Sequence, residues 1–357
     1  MRTGIGRYVR EVVRAASARG WRCTVYGDAR TALPEMPPGV TLTRLVAAGT
    51  RWWDQIALPR ALARDGADVF LSPYYKGPVA APCPVVLTIH DLYFIGYGGR
   101  RSPRDAVRTA AARLYARRAR AIVTDSEHSR RAVVERLGVD PAKVTAIGVA
   151  VGTEFVPTPL SDSVRARYGL GATYVLFVGN FMPHKNVDGL LRAWAALPAT
   201  LRATHRLVLA GGDSGRRPQL EALARRLDVT ASVGFPGRID DADLPALYSG
   251  CAAFVLPSLD EGFGLPAVEA MACGAPVIVS DRSALPEVAG PGAAVVDIGA
   301  DGALATALAR VLRDPEHRDI LRRRGRARAT DFAPERTAAR VVDLLESVAG
   351  ATVTVAR

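Results

Sequence analysis

The sequence predicts an α/β protein built from two doubly wound parallel-sheet domains. Three observations carry this. At 357 residues the chain is longer than one ordinary domain. Short apolar, β-branched runs alternate with longer Ala-, Leu- and Arg-rich helical patterns, and the alternation is repeated twice. A proline-containing stretch, Val-Pro-Thr-Pro-Leu at 156–160, separates the two repeats. The expected division is an amino-terminal domain at 1–156, a second domain at 157–333, and a terminal helical segment at 334–357 that packs back on the first.

In chain order, the expected strands of the first domain are 23–26, 40–46, 69–72, 85–90, 121–125 and 144–149. Those of the second are 174–178, 205–210, 232–235, 253–256, 276–279 and 294–296. Each is short, β-branched and bounded by turn residues. Continuously apolar runs such as the one at 276–279 suit strands of a parallel sheet covered on both faces. Helical patterns lie between them, among them 8–19, 187–196 and 244–248, with a last one at 334–348. Ligands of paired doubly wound domains sit at the carboxyl ends of strands, here expected in a cleft between domains, so the loops that follow strands hold the candidate residues.

Composition narrows the classes. Apolar residues make up 49%, enough for two cores. No run of apolar residues is long enough to span a bilayer, and the first residues lack a signal-peptide hydrophobic region, so a soluble cytoplasmic protein is expected. Cys23, Cys83, Cys251 and Cys273 are scattered, without zinc-site or redox-pair spacing. The net charge is +12, densest between positions 100 and 136 (Arg101, Arg104, Arg108, Arg113, Arg117, Arg118, Arg120). Attraction to an anionic membrane surface or lipid-phosphate acceptor and an ordinary solvated helix face account for this cluster equally well. Nucleic acid is not expected, because no aromatic-interleaved basic platform accompanies the charge.

The most informative segment is Pro-Ser-Leu-Asp-Glu-Gly-Phe-Gly-Leu-Pro at 257–266 with the helix it feeds. It sets Glu261 and Glu269 astride a glycine-rich turn whose backbone N–H groups, at Gly262, Phe263, Gly264 and Leu265, can cradle an anion at a helix N-terminus. Carboxylates at the rim of an anion cradle suit a phosphorylated, hydroxyl-rich ligand. Gly179-Asn-Phe-Met-Pro-His-Lys-Asn follows the strand at 174–178, and Lys185 there is placed to neutralise a diphosphate, with Asn186 as a helix cap. Gly4 and Gly6 form a turn expected to open the helix at 8–19 and to admit a phosphate or sugar closely. His90, at the end of the strand at 85–90, can hydrogen-bond a sugar hydroxyl, with Asp91 orienting it or capping the backbone. Gly212-Asp-Ser-Gly echoes a protease nucleophile loop by chance, and Asp241-Ala-Asp243 reads as helix capping, so no metal site is expected.

These motifs together resemble glycosyltransferase family 4, the retaining enzymes of the two-domain GT-B fold, over almost the whole chain. The resemblance rests on Gly-Ile-Gly-Arg-Tyr at 4–8, Ile-His-Asp-Leu at 89–92, Val-Gly-Asn-Phe-Met-Pro-His-Lys-Asn at 178–186 and Phe-Pro-Gly-Arg-Ile at 235–239. It continues through the Glu-x7-Glu segment and Leu-Pro-Glu-Val-Ala-Gly at 285–290. It implies a nucleotide-sugar donor, with mannose and GDP as candidates, and a saccharide or lipid-linked acceptor. Lys185 is assigned to the donor diphosphate, Glu261 to the transferred sugar, Glu269 to the ribose and His90 to a sugar hydroxyl. The Gly4–Gly6 turn is assigned to the phosphate and acceptor side, Gly179 and Asn180 to the donor, and backbone at Gly237 and Arg238 to the base. No metal or other cofactor is required. A sugar-nucleotide epimerase and a non-catalytic sugar-nucleotide-binding subunit are the alternatives. Trp52, Trp53, Tyr74, Tyr75 and Tyr93 are candidates for an acceptor wall on loops. The family's first strand, central in the amino-terminal sheet, has no counterpart ahead of Gly4. A gap is therefore expected beside 69–72, along with a natural start about 10–20 residues upstream.

Overall fold

The computed structural model describes residues 4–29, 31, 37–92 and 103–350. All twelve expected strands form within it, most with ends shifted by a residue or two. They are β1 (Cys23–Gly27), β2 (Val40–Arg44), β3 (Phe70–Ser72), β4 (Val85–Ile89), β5 (Ala121–Thr124), β6 (Val144–Ala146), β7 (Tyr174–Val178), β8 (Arg206–Ala210), β9 (Val233–Gly237), β10 (Ala253–Leu256), β11 (Val277–Ser280) and β12 (Ala294–Val296). The chain divides into two compact units, Met1–Ala150 with Pro334–Arg357, and Val151–Ala333. The break thus comes before the proline stretch at 156–160.

In the second unit the six strands form one parallel sheet in the order β12-β11-β10-β7-β8-β9. The first strand is central and later strands grow outward to each side, so the order reverses between β7 and β10, where such sheets bind ligands. The continuous apolar runs are explained by burial on both faces: every residue of β10 and β11 is buried. Helix Val187–Ala195 buries Val187, Leu190, Leu191 and Trp194, the spacing of one helical face. The fully buried Trp194 donates its indole N–H to Ser232 Oγ at 3.0 Å, so the polar atom of the largest core side chain is satisfied.

In the first unit β3-β4-β5-β6 make a four-stranded parallel sheet, and β1 and β2 pair separately. Alternate residues of β4 go to opposite faces. Val85, Leu87 and Ile89 join Ala112 and Ala116 of helix Pro103–Arg118 and Val133 and Leu137 of helix Glu127–Leu137. Val86 joins Tyr8, Val12 and Ala16 of helix Gly4–Ala18, and Val341, Val342 and Leu345 of helix Pro334–Ala349. Arg340 of that last helix donates to the carbonyls of Ile147 and Ala146 at 2.8 and 2.9 Å. Among the described residues β3 pairs only with β4 and β1 only with β2, so the sheet is interrupted beside β3.

Two expectations are corrected. Gly4 and Gly6 are not a turn: both lie inside helix Gly4–Ala18, neither has positive φ, and Gly6 is buried. The apolar face set by Tyr8, Val12 and Ala16 extends the helix back over the glycines, and packing overrides their weak helix propensity. Trp52 and Trp53 are helical too, in a run made of Thr50–Trp52, a π-helical turn Trp53–Ala57 and Leu58–Arg64. Gln55 ties that turn to the next loop, donating to Gly77 O at 3.1 Å and accepting from Val79 N at 2.9 Å. Tyr93, with Phe94 and Tyr97, lies outside the described residues.

Candidate active site

The loops after β7 and β10, neighbours at the point where the strand order reverses, are joined into one structure. Leu259 N donates to His184 O at 2.7 Å, and Asn186 Nδ2 donates to Pro257 O at 3.2 Å. Asn186 therefore does not cap helix Val187–Ala195 with its side chain, as expected; it sits in the left-handed region and braces the neighbouring loop. Across this brace Lys185 Nζ lies 2.7 and 2.8 Å from the two carboxylate oxygens of Glu261, with the side chains only 14% and 10% exposed. Ser258 Oγ donates to Glu261 Oε1 at 2.7 Å, and the Glu261 backbone N–H donates to Ser283 Oγ at 2.9 Å. The carboxylate is thus held by a cation and a hydroxyl while its backbone is pinned to the loop after β11.

The same turn leads into helix Leu265–Ala272 through Gly264, which has φ +90°. A side chain there would be strained by its backbone and would run into Leu285 Cδ2. Phe263 is buried edge-on against Phe332 (ring centroids 5.2 Å apart), so only its backbone is left for a ligand. Glu269, on the fifth residue of the helix, is buried and accepts from Tyr248 O–H at 3.2 Å. Burial, with the Glu269 charge, pushes the Tyr248 phenol well up, so it stays a donor. Gly179, Gly211 and Gly237 meet at the ends of β7, β8 and β9. Gly211 N donates to Gly237 O at 2.8 Å, and a Cβ on Gly211 would fall on the Gly179 carbonyl. Asn180 is exposed, its Oδ1 accepting from Met182 N at 3.3 Å, and Arg238 is exposed with Asp241 at 3.9 Å. Asp243 does not cap its helix with its side chain; it accepts from Arg167 and Tyr168, each at 2.8 Å.

In the first unit His90 follows β4, and its Nδ1 lies 3.0 and 2.9 Å from the two oxygens of Asp125, which follows β5. The Nδ1 partner is Asp125 and not Asp91, for which orienting His90 was one of two roles considered; Asp91 is exposed. The pairing follows from register, because Ile89 and Thr124 are partners across β4 and β5 and the next residue of each strand carries the side chain. Tyr8 stacks edge-on against His90 at 5.5 Å and shares a hydrogen bond with Thr88 Oγ1 at 3.0 Å. Burial alone would lower the His90 pKa. The Asp125 hydrogen bond and charge, with the Asp91 charge and the Pro73 carbonyl, outweigh it and raise the pKa above the ordinary imidazole value.

Sequence reasoning named Lys185, Glu261, Glu269 and His90 as candidates but not Ser258, Ser283, Tyr248 or Asp125, which hydrogen-bond to them. Only Asp125 left a signal: it directly follows a strand consecutive with that of His90. Among the described residues no three His, Cys, Asp or Glu side chains are grouped as metal ligands, and no helix is long and apolar enough to cross a membrane.

A family model described as glycosyl transferases group 1 matches residues 165–328, and one described as glycosyltransferase family 4 matches residues 2–155. O-antigen chain mannosyltransferase B of Escherichia coli is 32% identical over 255 residues, 70% of this chain and 67% of that protein. Serotype-specific mannosyltransferase WbdA, also of Escherichia coli, is 38% identical over 184 residues, which span 48% of this chain and 22% of WbdA. Among solved structures, sucrose-phosphate synthase from Thermosynechococcus elongatus matches with a TM-score of 0.74 at 25% identity, over 95% of this chain and 92% of that one. With both units matched in sequence and the whole chain matched in fold, the protein belongs to glycosyltransferase family 4 and has its two-domain GT-B fold.

Proposed function

We propose that this glycosyltransferase moves mannose from a nucleoside-diphosphate sugar, GDP-mannose, to a saccharide or lipid-linked acceptor with retention of configuration and without a metal ion. The observation that carries the reading is the buried Lys185–Glu261 pair beside the start of helix Leu265–Ala272, at the reversal point of the sheet. As the C1–O bond breaks, its electrons pass to the diphosphate. A lysine and the positive end of a helix are the groups that stabilise charge developing there. Glu261 orients the transferred sugar through its hydroxyls, and Lys185 is shared between that carboxylate and the phosphate. The acceptor hydroxyl attacks the face the diphosphate leaves and gives its proton to the departing phosphate oxygen. Glu269 meets the ribose hydroxyls, Gly179 and Asn180 the phosphates, and the backbone of Gly237 and Arg238 the base. His90 hydrogen-bonds a sugar hydroxyl. The mannosyl assignment is supported by the names of the curated relatives.

The finer placement is the cytoplasmic face of a membrane. Helix Pro103–Arg118 exposes Arg104, Arg108, Arg113, Arg117 and Arg118 together with Val107 and Leu114, a basic face with apolar residues that suits anionic headgroups.

The test is release of nucleoside diphosphate from a panel of nucleotide sugars, in EDTA, with mannosylated oligosaccharides as acceptors and the product anomer read by NMR. GDP-mannose should be turned over, with the donor's configuration kept. Turnover of a different nucleotide sugar alone, an inverted anomer, or activity that needs a divalent ion would overturn the corresponding part.

A further inference from the structure

His90 is held from two sides. Asp125 contacts Nδ1 with both oxygens, Tyr8 lies edge-on against the ring, and Thr88 anchors Tyr8. Its other nitrogen, Nε2, is buried and makes no hydrogen bond of good geometry among the described residues, although the Pro73 carbonyl also acts on the ring. Asp125 is itself enclosed. It is buried between the end of β5 and helix Glu127–Leu137, whose N-terminus is capped by Ser126 accepting from Ser129 N at 3.0 Å. Burial pushes its carboxyl up, while the His90 hydrogen bond and charge, with the helix start, favour the anion. A carboxylate oxygen can only accept, so the Nδ1 facing it carries the proton. In the neutral ring that leaves a lone pair on Nε2, and a buried, unpartnered polar atom in an otherwise satisfied cluster calls for a ligand.

We propose that Asp125 is the positioning residue of the sugar-binding histidine: it fixes the proton of His90 on Nδ1 and so makes Nε2 the acceptor for a hydroxyl of the bound sugar. The inference rests on the glycosyltransferase reading only for the identity of the ligand. Besides Asp125, the titratable groups near the ring are Asp91, on the same loop, and Tyr8, whose phenol burial keeps protonated.

The experiment is 15N NMR of the full chain labelled in histidine, without donor, with the His90 signals assigned by their loss in His90→Asn. In the wild type the neutral ring should show a protonated Nδ1 and a bare Nε2. Asp125→Ala should return it to the Nε2–H tautomer that an unconstrained imidazole prefers. Asp125→Asn still offers an oxygen to Nδ1–H but no charge. It should keep the tautomer, titrate at lower pH than the wild type, and move the acid limb of the kcat profile toward acid. Asp125→Ala should lower kcat by about 10- to 100-fold, with Asp125→Asn recovering most of that loss. A wild-type ring protonated on Nε2 and bare at Nδ1, or an acid limb unmoved in Asp125→Asn, would overturn the proposal. A merely structural Asp125 would lower kcat and melting temperature and leave both readouts in place. If Asp125→Ala does not fold, the wild-type tautomer and the isosteric Asn variant decide. The two readings fail separately. Absence of sugar transfer leaves the tautomer measurement intact, and transfer by an enzyme with the wrong tautomer removes only the role of Asp125.

Discussion

Each unit carries a pair of ionisable side chains in the segments that follow adjacent parallel strands, and the two pairs are built differently. Lys185 and Glu261 are 76 residues apart, in the loops after β7 and β10, which become neighbours only because the strand order reverses between them. Their loops are hydrogen-bonded to each other and to the loop after β11, in a sheet continuous over six strands. His90 and Asp125 directly follow β4 and β5, neighbours by simple succession, in a unit whose described strands fall into two separate sheets. One pair joins a full cation to a carboxylate. The other sets a titratable ring against one. The first is suited to stabilising charge that appears during reaction, the second to fixing the direction of a hydrogen bond.

Substitutions at the two pairs should therefore differ in size and kind. Lys185→Ala should lower kcat by about 10²–10³-fold with any acceptor, measured as nucleoside-diphosphate release. His90→Ala should cost less, about 10- to 100-fold. An equal or larger loss at His90 would invert the comparison. The same pair has a cost in stability. Lys185→Ala leaves the Glu261 carboxylate with Ser258 but without its cation, so denaturant unfolding should show a loss of about 1–3 kcal/mol. Adding Glu261→Gln should restore part of it, and strictly additive losses would argue that the two side chains do not interact.

The turn that presents Glu261 depends on Gly264, and Gly264→Ala should cost about 1–2 kcal/mol through its φ alone. Adding Leu285→Ala removes the clash but not the backbone strain, so it should not recover the loss. Tyr248→Phe removes the hydrogen bond to Glu269 but keeps the ring against Phe254. It should lower stability by about 1 kcal/mol while weakening donor binding more than kcat. The smallest effect on catalysis belongs to the exposed arginines. Arg104→Ala with Arg108→Ala should leave turnover of a soluble acceptor unchanged and weaken binding to phosphatidylserine vesicles by about 1 kcal/mol each.

How far the site could be read in advance depended on the range of each interaction. Lys185 and Glu261 were visible because each lies in a turn between an apolar strand and a helix, a local pattern. That Ser258, Ser283 and Tyr248 secure the two glutamates was not visible, because serine and tyrosine carry no periodic signal and Ser283 reaches Glu261 from another strand's loop. Gly4 and Gly6 were misread for the opposite reason. Their local signal is a turn, and the packing of Tyr8, Val12 and Ala16 carries the helix through them. Asp91 was a candidate to orient His90 because it is adjacent in sequence, whereas strand register puts Asp125 at the ring.

The sequence by itself determined the strands, the two-domain α/β class and the family, because hydrophobic runs and glycine- or proline-bounded turns are local and survive without coordinates. Tertiary structure alone decided which carboxylate holds which base or cation. Hydrogen bonds and ion pairs act over about 3 Å, and only the winding of the sheet brings distant loops to that distance.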